Sequence, residues 1–331
     1  MLSRSYFKNK LFHISRPHQR EELAVQLFHY QAQHNSIYRQ YLSLLNVKIS
    51  AVVSTAQIPF LPIRFFKSQP VRTSTFQPQL EFHSSGTTGS IPSKHYVREA
   101  ALYRQSFLSA FRQMWGAPQK YFIAALLPSY LERQHSSLVY MCKHLIEYSE
   151  DSNSNFFLHN LAELQTLLQQ KIKEKRPIML IGVSFALLEM TEKYPVTLRP
   201  QDVIMETGGM KGRRKELTRS QLHHILKNGF QVPHIASEYG MTELLSQAYA
   251  RRDGLFETPP WLQARIRELN DPFAERPAGK TGALNIIDLA NLDSCAFVET
   301  EDLGRQTADG RFEVLGRFDN ADLRGCNLML A

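Results

Sequence analysis

A chain of 331 residues with 43% hydrophobic and 11% aromatic side chains is excluded from the disordered class, and its length favours two intimate subdomains over one small core. Its three cysteines, Cys142, Cys295 and Cys326, have no paired spacing, which excludes a disulfide framework or a cysteine zinc site and points to a reducing compartment, the cytoplasm. The formal net charge of +8 comes from basic residues scattered among acids without a nucleic-acid motif, so an anionic nucleotide substrate accounts for it more economically than nucleic acid does.

Leu2–Ser15 lacks the apolar core of a signal peptide. His18–Leu45 reads as helix, with Leu23, Leu27, Ile37, Tyr41 and Leu45 near helical spacing. Pro59, Pro62 and Pro70 then punctuate an extended connection, because proline fixes its own φ and disfavours helix in the residue before it. From residue 98 helices and strands alternate. Helices are expected at Glu99–Trp115, His135–Tyr148, Asn160–Glu174 and Arg214–Asn228, and strands at Tyr121–Leu127, Ile178–Gly182, Val203–Glu206 and Val232–Ala236. That rhythm implies a parallel sheet covered on both faces. The apolar stretches Tyr121–Leu131 and Ile178–Leu188 are too short to span a bilayer, so no membrane span is expected. After residue 250 glycine and proline become frequent. Short β pieces at Ala283–Asp288, Ala296–Glu299 and Arg311–Arg317 predict a small, mostly antiparallel β subdomain.

The sharpest local pattern is Ser84-Ser85-Gly86-Thr87-Thr88-Gly89-Ser90. Glycines let a backbone turn close to an anion, and hydroxyls and free amides donate to phosphate oxygens. By composition alone the run equally describes a solvated loop; it has no Walker ending. A second pattern, Ser237-Glu238-Tyr239-Gly240-Met241-Thr242-Glu243, directly follows the strand expected at Val232–Ala236, where open α/β sheets place ligands. Tyr239 offers a face to a base, and Glu243 a hard oxygen to magnesium. Its plainer alternative is a first-turn helix carboxylate.

In order and approximate separation the two patterns resemble those of the acyl-adenylate-forming superfamily. Thr300-Glu301-Asp302 is similar to that superfamily's Thr-Gly-Asp segment, and Gly316-Arg317-Phe318-Asp319 to its Gly-Arg-x-Asp segment. Within the superfamily the chain most resembles the acyl-protein synthetases of bioluminescence fatty-acid reductase complexes. The matching pieces are Ile58–Ile63 with Phe65-Phe66-Lys67, Thr207-Gly208-Gly209-Met210-Lys211-Gly212, and Leu323-Arg324-Gly325-Cys326-Asn327-Leu328.

The resemblance implies an α/β adenylate-forming ligase N-terminal domain with two α/β subdomains and a small β subdomain. The chain stops where the C-terminal lid would begin, so the lid and its lysine are expected to be absent. The division expected is residues 1–200, with the phosphate loop, and 201–331, merging into the β subdomain and ending at the hinge. The implied substrates are ATP with Mg2+ and a carboxylic acid, chiefly a fatty acid. Ser84, Ser85, Gly86, Thr87, Thr88, Gly89 and Ser90 would grip phosphate; Gly208, Gly209, Tyr239 and Gly240 would border the nucleotide, and Asp302 and Arg317 its ribose. Glu243 would hold the metal, and Thr242 and Lys94 would reach phosphate. Cys326 would accept the acyl group, a thioester being transferable and thiolate a strong nucleophile. An acyl reductase, acyl carrier or other acyl-accepting protein is the implied partner; the alternatives are an acyl- or aryl-CoA ligase, with coenzyme A as acceptor, and a non-catalytic nucleotide-binding subunit of an acyl reductase complex. Cys142 and Cys295 read as packing residues. The chain departs from the wider pattern at Ser93, which separates Pro92 from Lys94, and at Glu301, which stands where glycine is usual.

Overall fold

Asn35 decides how the N-terminal segment folds. In the computed structural model, which describes residues 2–84, 91–127, 135–158, 160–208 and 217–318, the helix expected over residues 18–45 is broken there. Helix α1 (Arg4–Leu11) is followed by α2 (Pro17–His34) and α3 (Ser36–Leu44), with Asn35 extended between the last two at φ −104° and ψ 107°. Its side-chain oxygen accepts the Tyr38 N–H at 3.0 Å and its amide donates to the Ser294 carbonyl at 2.8 Å. The residue thus caps α3, as asparagine at an N-cap does, instead of continuing α2. The proline-rich stretch carries a short strand β1 (Leu61–Pro62) and one helical turn, α4 (Phe65–Ser68).

The next segment is an α/β layer system. A hairpin, β2 (Leu80–His83) and β3 (Lys94–Val97), leads into α5 (Ala100–Trp115), β4 (Phe122–Leu126), α6 (Ser137–Ser149), β5 (Asn155–Phe156), α7 (Leu161–Lys173) and β6 (Ile178–Val183). It continues through α8 (Ser184–Lys193), β7 (Val203–Thr207), α9 (Arg219–Phe230), β8 (Ala236–Tyr239), β9 (Ala248–Ala250) and β10 (Leu255–Phe256). Strands β5-β4-β6-β7-β8-β9 form one sheet in that order. β4 through β8 run parallel and β9 antiparallel to β8. Every residue of β4 and β6 is buried, which explains their unbroken apolar runs: a parallel sheet is covered on both faces.

Within the α/β segment two boundaries differ from expectation, each for a local reason. The strand expected at Ile178–Gly182 runs to Val183, and the apolar run continues as helix from Ser184. Helix α9 starts at Arg219, because Thr218 accepts the Gln221 N–H while the Gln221 side chain caps Thr218 in return. The strand expected at Val232–Ala236 instead spans Ala236–Tyr239. Pro233 has no N–H for a ladder, and the register with β7 begins at Met205↔Ala236.

The chain ends its described course with β11 (Leu262–Arg267), β12 (Thr281–Asp288), β13 (Phe297–Gln306) and β14 (Phe312–Arg317). These form the antiparallel order β11-β12-β13-β14, with β1 pairing parallel to β13, as expected of a β tail.

Two compact units result: a split unit of residues 1–74 with 260–331, and a continuous unit of residues 75–259. The expected division at residue 200 does not coincide with either boundary. It falls between α8 and β7, and β7 pairs directly with β6 in one sheet, so no seam exists there. The split unit's core gathers Phe28, Tyr38 and Phe60 around Phe297, each with ring centroids 6.2 Å from it. Burying a side chain of this size contributes about 2–3 kcal/mol. Among the described residues no helix is long and apolar enough to cross a membrane.

Candidate active site

Residues 84–93 join β2 to β3, so the phosphate-loop pattern is the connection of a hairpin whose last paired residues are His83 and Lys94. The base of this connection is laced shut: the Ser84 N–H donates to the Ser93 carbonyl at 3.1 Å, and the Ser93 N–H donates to Ser84 Oγ at 2.8 Å. Ser85, Gly86, Thr87, Thr88, Gly89 and Ser90 lie outside the described residues. Lys94 lies on β3, 3.5 Å from Glu81 Oε1. The same carboxylate oxygen is 2.7 Å from His83 Nε2, whose ring stacks on His135 at 4.4 Å. The His83 contact, and after it the Lys94 charge, hold the Glu81 carboxyl below its ordinary range.

The Thr207-Gly208 piece and the Ser237–Glu243 pattern meet at the carboxyl ends of adjacent parallel strands. Thr207, the last residue of β7, stands opposite Glu238 on β8, and its hydroxyl donates to Glu238 Oε2 at 2.5 Å. Gly208 follows with φ +67°, the left-handed conformation that glycine adopts without a steric penalty, and its carbonyl accepts from the Ser184 hydroxyl at 3.1 Å. Gly209 and the Lys211, Arg213, Arg214 cluster lie outside the described residues. Tyr239 is therefore the last residue of a strand instead of the third residue after one. Its buried ring packs 5.8 Å from Phe256. A Cβ at Gly240 would lie 2.5 Å from Glu238 Oε1, so a larger residue there requires the Glu238 carboxylate to shift.

Thr242 and Glu243 follow within a turn closed by the Leu244 N–H on the Met241 carbonyl at 3.1 Å, and Glu243 is buried. The Thr242 carbonyl is held by His95 Nδ1 at 2.8 Å. Because a carbonyl only accepts, Nδ1 carries the proton. Burial pushes the His95 imidazole down to about 4, against the opposing Thr242 bond, so it is neutral at pH 7. Sequence reading did not single out His95 or Glu238. The one available signal for each is adjacency, His95 to the Ser93-Lys94 end of the loop and Glu238 to Tyr239.

The two carboxylates at these strand ends face different surroundings. Glu206, opposite Ser237, lies 3.1 Å from Arg219 Nε and 3.5 Å from His223 Nε2. Burial opposes its ionisation, but the His223 and Arg219 contacts outweigh it and hold the group below the usual range. Ser237 Oγ also approaches His223 Nε2, at 3.3 Å. Serine and acid thus share one ring nitrogen, whereas a nucleophile relay needs both, and Ser237 is fully buried; this cluster is packing chemistry. Glu238 behaves oppositely. Burial raises its carboxyl to about 7, opposed by the Thr207 bond and assisted by the Glu206 charge.

In the split unit the last two patterns also come together. Asp302 on β13 and Arg317 on β14 are register partners, and Arg317 Nε donates to Asp302 Oδ1 at 3.1 Å. Thr300 organises the approach, accepting the Asp302 N–H at 3.1 Å and donating to the Leu284 carbonyl at 2.8 Å. Glu301, the departure from glycine, forms an ion pair with Arg64. The Ile58–Ile63 pattern gains a physical role here: β1 lies beside β13, and the Ile63 N–H donates to the Glu299 carbonyl at 2.9 Å.

Cys142 and Cys295 are buried, and burial pushes both thiols up, Cys295 to about 12; neither supplies thiolate at neutral pH. Asp319 and Cys326 lie outside the described residues. No cluster of three or more metal-ligating side chains occurs among the described residues. A single carboxylate such as Glu243 fits magnesium carried on a nucleotide, which uses one or two protein carboxylates together with phosphates and water.

Among solved structures, the chain is similar to ATP-bound MatB from Rhodopseudomonas palustris at 15% identity and TM-score 0.53, over 72% of this chain and 47% of that one. It is similar to 2-hydroxyisobutyryl-CoA ligase in its postadenylation state at 13% identity and TM-score 0.61, over 91% and 70%. It is also similar to McyG A-PCP complexed with phenylalanyl-adenylate at 15% identity and TM-score 0.52, over 73% and 48%. These likenesses establish the adenylate-forming ligase fold. The chain spans about half the length of the MatB structures it matches. No protein of curated function matches the sequence. A family model, that of the acyl-protein synthetase LuxE, matches residues 13–331. The chain belongs to the LuxE acyl-protein synthetase family.

Proposed function

We propose that this protein activates a fatty acid with ATP and then passes the acyl group to a thiol, with Cys326 as acceptor and an acyl reductase as the partner that receives it, in the cytoplasm. The observation that carries this reading is the meeting of Thr207-Gly208 and Glu238–Glu243 at the carboxyl ends of β7 and β8, where parallel α/β sheets bind ligands. The Asp302–Arg317 pair and the family match support it.

In the first step a carboxylate oxygen of the acid attacks the α-phosphorus, the α–β anhydride bond breaks, and pyrophosphate leaves with the electron pair. The protein forms no bond; it positions two anions and offsets developing charge. The loop of residues 84–90, with Lys94, takes the phosphates, and Thr242 the α-phosphate. Tyr239, Gly208, Gly209 and Gly240 border the base, and Asp302 and Arg317 take the ribose hydroxyls. Magnesium, held by the Glu243 carboxylate, would supply neutralising charge at the phosphates. In the second step the thiolate attacks the acyl carbonyl, the C–S bond forms, and the C–O bond to AMP breaks; the thiol proton has already passed to solvent. With Cys142 and Cys295 buried, Cys326 is the cysteine left for this step.

The test is carboxylate-dependent exchange of labelled pyrophosphate into ATP, with intact-protein mass spectrometry before and after neutral hydroxylamine. Wild type should exchange with a fatty acid and gain one hydroxylamine-labile acyl mass; Cys326→Ala should keep exchange and lose the adduct. Exchange with no acid despite ATP binding would sink the adenylation reading. An alanine variant acylated as fully as wild type would remove Cys326, and acyl-CoA release on adding coenzyme A would put that thiol in its place.

A further inference from the structure

We infer that His95 is a positioning residue for the metal–nucleotide end of the site, holding the Thr242–Glu243 peptide in register with the hairpin that carries the phosphate loop. The inference rests on the adenylation reading. His95 stands on β3, two residues past the Ser84–Ser93 lacing, and faces Phe82 across the hairpin. Its Nδ1–H reaches the Thr242 carbonyl at 2.8 Å across 147 residues of sequence, and its exposure is 1%. This hydrogen bond ties the hairpin to the turn that carries Thr242 and Glu243.

The carbonyl of Thr242 and the N–H of Glu243 belong to one planar peptide group. Donation into that carbonyl fixes the plane from which both side chains leave and polarises the attached N–H. A bond this short, away from water, holds better than a surface contact would. The arrangement corresponds to the outer partners that orient ligands in metal sites, whose loss lowers metal affinity by about 10–100-fold. A histidine that merely filled space would serve equally well as phenylalanine.

The experiment compares His95→Asn with His95→Phe. The asparagine amide nitrogen lies the same number of bonds from Cα as Nδ1 and keeps the donor; phenylalanine keeps the ring and removes it. Binding of Mn2+–ATP is followed by the electron paramagnetic resonance signal of free Mn2+, beside metal-free ATP binding and pyrophosphate exchange, at a temperature where circular dichroism shows each variant folded. His95→Phe should weaken Mn2+–ATP binding about tenfold or more, with metal-free ATP binding changed little, and His95→Asn should recover to within about threefold of wild type. Equal loss in both variants, or wild-type binding in His95→Phe, overturns the inference. Should His95→Phe not fold, His95→Gln replaces it, since its amide nitrogen reaches the Nε2 position instead. If wild type binds Mn2+–ATP yet exchanges no pyrophosphate with any acid, the adenylation reading falls while the Mn2+ comparison still decides His95. A wild type that does not bind Mn2+–ATP overturns both.

Discussion

Glu238 is a carboxyl held at a chemical cost, and the cost has a pH signature. Burial raises it from an ordinary value near 4.5 to about 7. The unfolded chain therefore releases this proton at lower pH than the folded one does. Its contribution is fully present below about pH 4.5, drains as pH rises toward 7, and is gone above that. Glu238→Gln should abolish that loss, flattening the fall in unfolding free energy between pH 5 and 8 by about 1–3 kcal/mol. Urea unfolding of both proteins across that range measures it, and parallel profiles would refute the shift. The residue was invisible in the sequence because its character comes from burial in the sheet and then from Thr207 and Glu206 on the neighbouring strand, more than thirty positions away. Tyr239, Glu243, Asp302 and Arg317 were legible as motif members. That Arg317 lies against Asp302 followed only from the β13–β14 register.

Elements divide between those whose ends are marked by local chemistry and those whose ends depend on partners. Helices α5, α6 and α7 fall within a few residues of expectation, since each has a clear apolar face and a polar or glycine boundary. The break between α2 and α3 was missed because Asn35 interrupts an otherwise continuous helical pattern, and its reason lies in the Ser294 carbonyl and Thr73 hydroxyl that take its amide. Asn35→Ala should lose both the cap on Tyr38 and a buried hydrogen bond, lowering unfolding free energy by about 2 kcal/mol or more. Asn35→Asp keeps the cap but sets a buried carboxylate against the Ser294 carbonyl, so it should be at least as destabilised as the alanine variant. Chemical denaturation of the three proteins ranks them, and an alanine variant as stable as wild type would mean that Asn35 does not hold the junction.

At the scale of the whole molecule, the continuous unit of residues 75–259 contains the entire β5-β4-β6-β7-β8-β9 sheet and its helices in one uninterrupted segment. Expressed alone, that segment should unfold in a single cooperative transition, because the pairs of the β5-β4-β6-β7-β8-β9 sheet need no strand from outside it. Under the proposed function it should not exchange pyrophosphate, since Asp302 and Arg317, assigned there to the ribose, belong to the split unit. Heat-capacity scanning and the exchange assay check the two halves of this expectation; a broad, non-cooperative melt would show that the unit depends on the remainder of the chain.

The amino-acid sequence by itself determined the fold class, the alternation of helix and strand from residue 98, the antiparallel tail and the order of the candidate site motifs. Those properties are written in short-range terms: apolar periodicity, glycine and proline placement, and hydroxyl-rich loops. Tertiary structure alone decided that Tyr239 ends a strand, that Thr207 meets Glu238, that His95 holds Thr242, and that residues 1–74 belong with residues 260–331. Each of these is a pairing between positions distant along the chain. Side-chain periodicity says which face of an element is buried, but strand register and burial say against what, and only then do the charge and proton of a carboxyl or imidazole acquire a definite state.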